Sequence, residues 1–356
     1  MTVSSSGEAT LNQYPVNFQL MRMLLMAAKT RCPFFSGTNQ GELSMNAGTA
    51  SVKWERIENL SPVPTPLTEI NGALTFPTRA AVVPTITPIT ATMAKYGNVI
   101  QVTEELELMS VNARAMKFMV TLGENAGATY NAVMAAVYAA ATQVRFGGGV
   151  AAVTLIVTGM SANDIKFAVN LVNRQGGMKF RSEGFGSTNI GTNPIRSSYM
   201  GICHVDVEED IRDLPTFVPV ENYGGYTDTW TDEIGAVNGV RWVATEEPTL
   251  ITADAATTSA PGFRGTSDVL NDVYDSYVVA VDAVGSVGLG ERHTREIYLS
   301  GDRIPTIQLI RHEPGSAGAA DPLNELSTVS WKGWLVGQIL NNTWIVRIRT
   351  LASDLA

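Results

Sequence analysis

His204, Asp206 and Glu208 stand at alternate positions in the stretch HVDVEED. Alternate residues of a strand share a face, so an imidazole and two carboxylates could converge there, with Asp210 close by. Oxygen ligands of this kind suit a hard divalent cation. A metal-dependent enzyme using His204, Asp206 and Glu208 is therefore one function class that the residues allow. The same residues also read structurally: a strand that runs into a helix sets its acids in the first helical turn, where they complement the helix dipole. The spacing favours that second reading.

Other reactive side chains offer less. Glu104, Glu105 and Glu107 in TEELEL form a carboxylate cluster, best read as an exposed turn into a helix. Gly147–Gly149 is a triple glycine placed after a helical pattern, whereas a phosphate cradle lies between a strand and a helix start. His293 and His312 lack an i, i+4 histidine partner for zinc. Cys203 adjoins His204, but neighbours on a strand point to opposite faces. Cys32 and Cys203 are the only cysteines, far apart and without metal or redox spacing, as expected of two unpaired thiols in a reducing cytosol. No enzyme, cofactor or metal ion is expected.

The 356 residues are 45% hydrophobic and only 17% charged, below the usual quarter. So little charge suggests that part of the surface is covered by something else. The net charge of −9 argues against a broad grip on nucleic acid, which calls for basic patches. No run reaches the ~18 apolar residues of a membrane span. The run LMRMLLMAA is broken by Arg22 and follows no basic region, so it makes a poor signal peptide. A soluble, non-exported chain of two or three sub-domains is expected.

The elements that must position these residues have unusual shapes. After a Ser/Thr/Gly tail, Val16, Leu20, Met23, Leu24 and Ala27 predict an amphipathic helix over 15–29. SVKWER reads as a strand with Val52 and Trp54 on one face, its alternation failing at Arg56–Ile57. The stretch from Asn59 to Thr90 then carries Pro62, Pro64, Pro66, Pro77, Pro84 and Pro88, with Glu69 and Arg79 as its only charges. It is too apolar for a disordered linker and too rich in proline for a core strand. KYGNVIQVT returns as a strand, so residues 50–103 form a long two-armed excursion.

Next, Met116, Val120, Gly123, Gly127, Tyr130, Met134, Val137 and Ala141 recur at helical steps. They predict one helix over 111–144, roughly 50 Å long at 1.5 Å per residue. Ser161 caps a second helix with Ile165, Ala168, Val169 and Val172 inward and Gly176–Gly177 as its stop. Residues 182–194 and 253–267 read as loops, and Asn238–Gly239 as a hairpin turn. SYVVAVDAVGSVGL and IPTIQLIRH read as apolar strands. STVSWKGWLVGQIL and TWIVRIRT flank Asn341–Asn342 as the closing strands, the last with Trp344, Val346 and Ile348 on one face. The class is mixed α+β. An extended excursion buries too little against itself to offset its ordering entropy, so a neighbouring copy must cover it. Heterologous contacts that close make rings or shells.

The segments VKWERIENLSPVPTPLTE and KYGNVIQVTEELELMS, followed by the long Ala-rich helix, resemble the major capsid proteins of tailed bacteriophages of the N4 type. CHVDVEEDIRDL, EIGAVNGVRWVATEEP and NELSTVSWKG resemble that family's later segments. The resemblance spreads from about residue 50 to 340. Ile70 stands where the family commonly has Gly, and Val205 where it has Pro.

The resemblance implies the HK97-like fold. Residues 1–49 would be an N-terminal arm, 50–103 an extended E-loop lying over an adjacent subunit, and 104–200 a peripheral domain with its spine helix. Residues 201–312 would form the axial domain, with 253–267 as a surface insertion, and 313–356 strands returning to the body. The implied function is self-assembly into hexamers and pentamers of an icosahedral virion head that encloses double-stranded DNA without sequence-specific binding. Scaffolding, portal and decoration proteins are the further partners implied, and the shell would be built in the host cytoplasm.

Subunit-interface residues are expected on the excursion: Lys53, Trp54, Arg56, Glu58, Leu67, Glu69, Phe76 and Arg79. Some proteins of this fold crosslink a loop Lys to an Asn. Here Asn71 lies at the tip, but no Lys occurs between Lys53 and Lys95, so that chemistry does not carry over. A cleaved N-terminal scaffold segment is not expected either. A cellular nanocompartment shell of the same fold is the runner-up.

Overall fold

The computed structural model describes residues 32–44, 49–58, 60–62, 64, 83–105, 114–180, 197–223, 229–253, 260–266, 270–290, 307–312, 322–323 and 325–354. In chain order the elements are β1 (Asn39–Ser44), β2 (Ser51–Ile57), β3 (Ile86–Thr92), β4 (Ala94–Thr103), α1 (Arg114–Ala139), β5 (Val144–Phe146), α2 (Ala162–Arg174) and β6 (Tyr199–His204). They continue with α3 (Glu208–Arg212), β7 (Val218–Pro219), β8 (Glu233–Val237), β9 (Val240–Thr245), β10 (Ile251–Thr252), β11 (Val273–Val279), β12 (Val284–Gly290), β13 (Ile307–His312), β14 (Leu326–Ile339) and β15 (Ile345–Thr350). The class is mixed α+β, mostly strand. The expected helix over 15–29 and loop over 182–194 lie outside the described residues.

β14 organises the first sheet. One of its edges takes β12 and β13 end to end, and the other takes all of β4; β1 adds to β12 in parallel. The strand alternates: Ser327, Val329, Trp331, Gly333 and Leu335 are buried, while the residues between them are half-exposed. The buried face receives α1, whose Leu122, Ala126, Tyr130, Met134 and Tyr138 are buried in turn. Tyr130 meets Trp331 edge to face at 5.8 Å, and the Trp331 indole N–H donates to Asn125 Oδ1 at 3.1 Å. Gly337 lets the helix settle, since a Cβ there would stand 2.6 Å from Met134 Sδ.

Of the expected α1 stripe, Gly123, Gly127, Tyr130 and Met134 are buried and Val120 and Val137 half-buried, but the helix ends at Ala139 and not at Val144, short of Ala141. Ala140 and Ala141 close a tight turn onto Val137 and Tyr138. Val144–Phe146 then pairs in parallel with β15. A ladder claims those residues, and two β-branched side chains nearby, Thr142 and Val144, suit extended backbone.

The second sheet runs in the order β5-β15-β11-β6-β9-β8-β7, with β10 on β11. The C-terminal strand thus inserts between the edge strand β5 and β11, and residues 201–312 divide between the two sheets. β15 is covered on both faces. Val346 and Ile348 are buried on one, while Arg347 and Arg349 of the other both converge on the buried Asp275 carboxylate. Asn238 and Gly239 adopt φ of 51° and 83°, the left-handed pair that a two-residue hairpin turn requires. α2 follows its caps: Ser161 accepts from Asp164 N–H, and Ile165, Ala168 and Val172 are buried.

Candidate assembly surface

β2 and β3 form a two-stranded ribbon apart from both sheets. Its alternation does not fail at Arg56. Val52, Trp54 and Arg56 lie on the inner face, and Ser51, Lys53, Glu55 and Ile57 on the outer. β3 was hidden in the sequence by its proline. Hydrogen bonds from Glu58 N–H to Thr85 O (3.0 Å) and from Met93 N–H to Ala50 O (2.9 Å) fix the phase of the ladder. Bonded and non-bonded pairs alternate in an antiparallel ribbon, so Pro88, opposite Glu55, falls at a non-bonded pair. Its missing N–H would have faced the open edge, where proline is tolerated.

The inner face packs on its own chain. Val52, Trp54 and Ala91 surround Met93, Val287 and Val336 beside Trp334, and Trp54 lies so close to Gly285 that a Cβ there would stand 3.2 Å from its ring. Arg56 Nε donates to Glu58 Oε1 at 2.9 Å, and Nη1 to Leu340 O at 3.3 Å. Among the described residues the outer face has no such cover. Lys53 pairs with Glu55 at 2.9 Å. Ile57 and Ile86 face each other across the ribbon, 65% and 50% exposed, and just beyond them Leu60 is 57% and Val83 83% exposed.

Of the residues expected at an interface, the structure thus brings Lys53, Trp54, Arg56 and Glu58 together at the ribbon. Trp54 faces inward, and Arg56 meets Glu58 of its own chain. Leu67, Glu69, Phe76 and Arg79 lie outside the described residues. The exposed residues Ile57, Ile86, Leu60 and Val83 were missed. The alternating TITPIT could have revealed one of them, because it sets Ile86 with Pro88 and Thr90 on one face.

HVDVEED is a strand end running into a helical turn. His204 Nδ1 accepts from Asp206 N–H at 3.1 Å, and Asp206 takes Arg264 Nη1 at 2.6 Å and the Tyr274 hydroxyl at 3.0 Å. Glu208 pairs with Arg212 one turn along α3, its Oε1 accepting from Nε at 2.9 Å. Burial lowers the His204 pKa against the opposing pull of Asp206. Among the described residues, no group of three or more His, Cys, Asp and Glu side chains is placed to hold a metal ion. Glu208 also borders a cavity of about 740 Å³, whose acids Glu233 and Glu247 are held by Arg241 and Asn131. Cys32 and Cys203 are buried thiols not joined in a disulfide, and the Cys32 thiol donates to Gly127 O at 3.2 Å. Burial, helped by the Glu247 charge, pushes the Cys32 thiol up to about 12 and raises Cys203 as well, so neither is a ready nucleophile.

No family model matches the chain, and no curated protein matches its sequence. Solved structures do match. A chain of the capsid of Ralstonia phage GP4 is 9% identical with a TM-score of 0.59, over 92% of this chain and 93% of that one. The head structure of Helicobacter pylori bacteriophage KHP40 gives 8% and 0.55, over 91% of each chain. The capsid of Cyanophage P-SCSP1u gives 12% and 0.53, over 89% of this chain and 87% of that one. This chain therefore has, over nearly its whole length, the fold found in these phage capsids.

Proposed function

We propose that the chain is the major capsid protein of a tailed bacteriophage, with the HK97-like fold and nearest in kind to the N4-type family. In this reading copies close into hexamers and pentamers of an icosahedral head around double-stranded DNA. Residues 50–103 act as the E-loop, 104–200 as the peripheral domain, 201–312 as the axial domain, and the C-terminal strands tie the body together. The observation that carries the reading is the likeness to three phage capsids over about nine-tenths of every chain compared. The ribbon supports it, because a paired arm with an uncovered apolar outer face is what a subunit needs to engage a neighbour. The role is structural and uses no catalytic group.

The test is expression of the chain, alone and together with scaffolding and portal proteins of a related phage, followed by sedimentation and electron microscopy. Closed shells are the expected outcome. A chain that stays monomeric under every such condition would remove the reading.

A further inference from the structure

The first sheet ends on one side in β4, whose outer edge no described strand covers. Glu104 N–H donates to Glu325 O at 2.8 Å, in step with the register that sets Val102 against Ser327 and Ile100 against Val329. Because bonded and non-bonded pairs alternate, the even-numbered residues of β4 bond to β14. Lys95, Gly97, Val99, Gln101 and Thr103 therefore turn their N–H and C=O groups outward. Among the described residues no strand pairs with that edge. Only the Val99 N–H has a substitute partner, Asn98 Oδ1 at 2.8 Å. Chains usually blunt such an edge with a short strand, a proline or a bulge. β4 runs ten residues with none of these, exposed along most of its length.

We propose that the β4 edges of two copies pair antiparallel across a twofold axis, joining two five-stranded sheets into one. The inference rests on the reading that copies of this chain assemble. The register that engages every outward residue sets Val99 opposite Val99, Gln101 opposite Gly97, and Lys95 opposite Thr103. The ends of the strand argue for a second copy in this orientation. β4 has Lys95 near its start and is followed by Glu104 and Glu105, so antiparallel pairing brings each lysine beside the other copy's acids. Parallel pairing would set lysine beside lysine. A self-matching edge makes an isologous contact.

Cysteine crosslinking reads the register directly. In a bonded antiparallel pair the Cα atoms are about 5.5 Å apart, within the ~4.4–6.8 Å of a disulfide. Both native thiols are buried and do not compete. Under mild oxidation of assembled or concentrated protein, Val99→Cys is expected to give a covalent dimer on a non-reducing gel. Gln101→Cys is not, because the two copies of that residue would lie about 14 Å apart at 3.4 Å per residue.

Adding Gln101→Pro to Val99→Cys should abolish the dimer and leave the subunit's melting unchanged, since that N–H serves no bond to β14. A Val99→Cys chain that stays unlinked, a Gln101→Cys chain that links as readily, or a dimer that survives Gln101→Pro each overturns the inference. If the unsubstituted chain forms no particles, the capsid reading fails by itself. The link or its absence still decides the pairing.

Discussion

On the proposed assembly, Ile57→Asp separates a residue that holds the subunit together from one that holds subunits to each other. Ile57 is 65% exposed on the outer face of the ribbon, so the isolated subunit gains little from it. Its replacement should change subunit stability by no more than about 0.5 kcal/mol. Full burial of an isoleucine is worth about 1.5–3 kcal/mol; scaled by the uncovered fraction, a neighbour seated on Ile57 gains about 1–2 kcal/mol. Aspartate loses that and adds a carboxylate whose desolvation without a partner costs about 1–3 kcal/mol. The contact weakens by about 2–5 kcal/mol. At about 1.4 kcal/mol per tenfold, the protein concentration at which particles first form rises by about thirtyfold or more.

Light scattering against protein concentration gives that threshold, and urea unfolding of the unassembled subunit gives the stability. Trp54→Ala supplies the contrast. It faces Gly285 and Val336 of its own chain and should lower subunit stability by about 1–3 kcal/mol, less than the loss for a fully buried tryptophan. Unchanged assembly in Ile57→Asp would refute the reasoning, and so would an unfolded Ile57→Asp subunit.

Three further perturbations follow from the same geometry. Arg56→Glu breaks a pair with Glu58 whose side chains are 36% and 44% exposed, so the subunit should lose no more than about 1 kcal/mol while particle yield falls; an unfolded isolated subunit would make Arg56 structural. Asp275→Ala leaves Arg347 and Arg349 half-buried beside an empty carboxylate site and should cost about 3–5 kcal/mol in urea unfolding. His204 is held neutral by burial, its pKa lowered from the ordinary 6.5. Its contribution is therefore full above about pH 6.5 and declines as pH falls below that value. His204→Gln should flatten the loss of stability on acidification, measured as melting temperature against pH.

Local chemistry was legible where one residue decides the backbone. Asn238–Gly239 needs two left-handed residues, and Ser161 needs only to stand before an apolar helical stripe, so both elements could be read directly. The stripe of α1 was equally clear, yet its end was not. Nothing local stops the helix before Val144; the stop is β15, two hundred residues away in the chain. The sheets were illegible for the same reason. β14 collects β4, β12 and β13, and strand patterns do not name their partners. In HVDVEED, alternate spacing suggested shared ligands, but Asp206 lies in the turn that follows the strand, where Arg264 and Tyr274 reach it from other segments.

The ribbon shows what a pattern of apolar and polar residues can and cannot decide. Val52, Trp54 and Ile57 are all large and apolar, and sequence alone gives no ground to separate them. The strand parity does: Trp54 falls with Val52 on the face that β12 and β14 cover, and Ile57 falls on the other. Proline had argued against a core strand between Asn59 and Thr90, but the objection holds only for a ladder position that must donate. Pro88 sits where nothing is donated. The demand for a neighbour therefore does not fall on the ribbon's roots, which bury their apolar side chains within the chain. On the proposed assembly it begins at Ile57 and Ile86, whose side chains the described residues of one copy leave largely exposed.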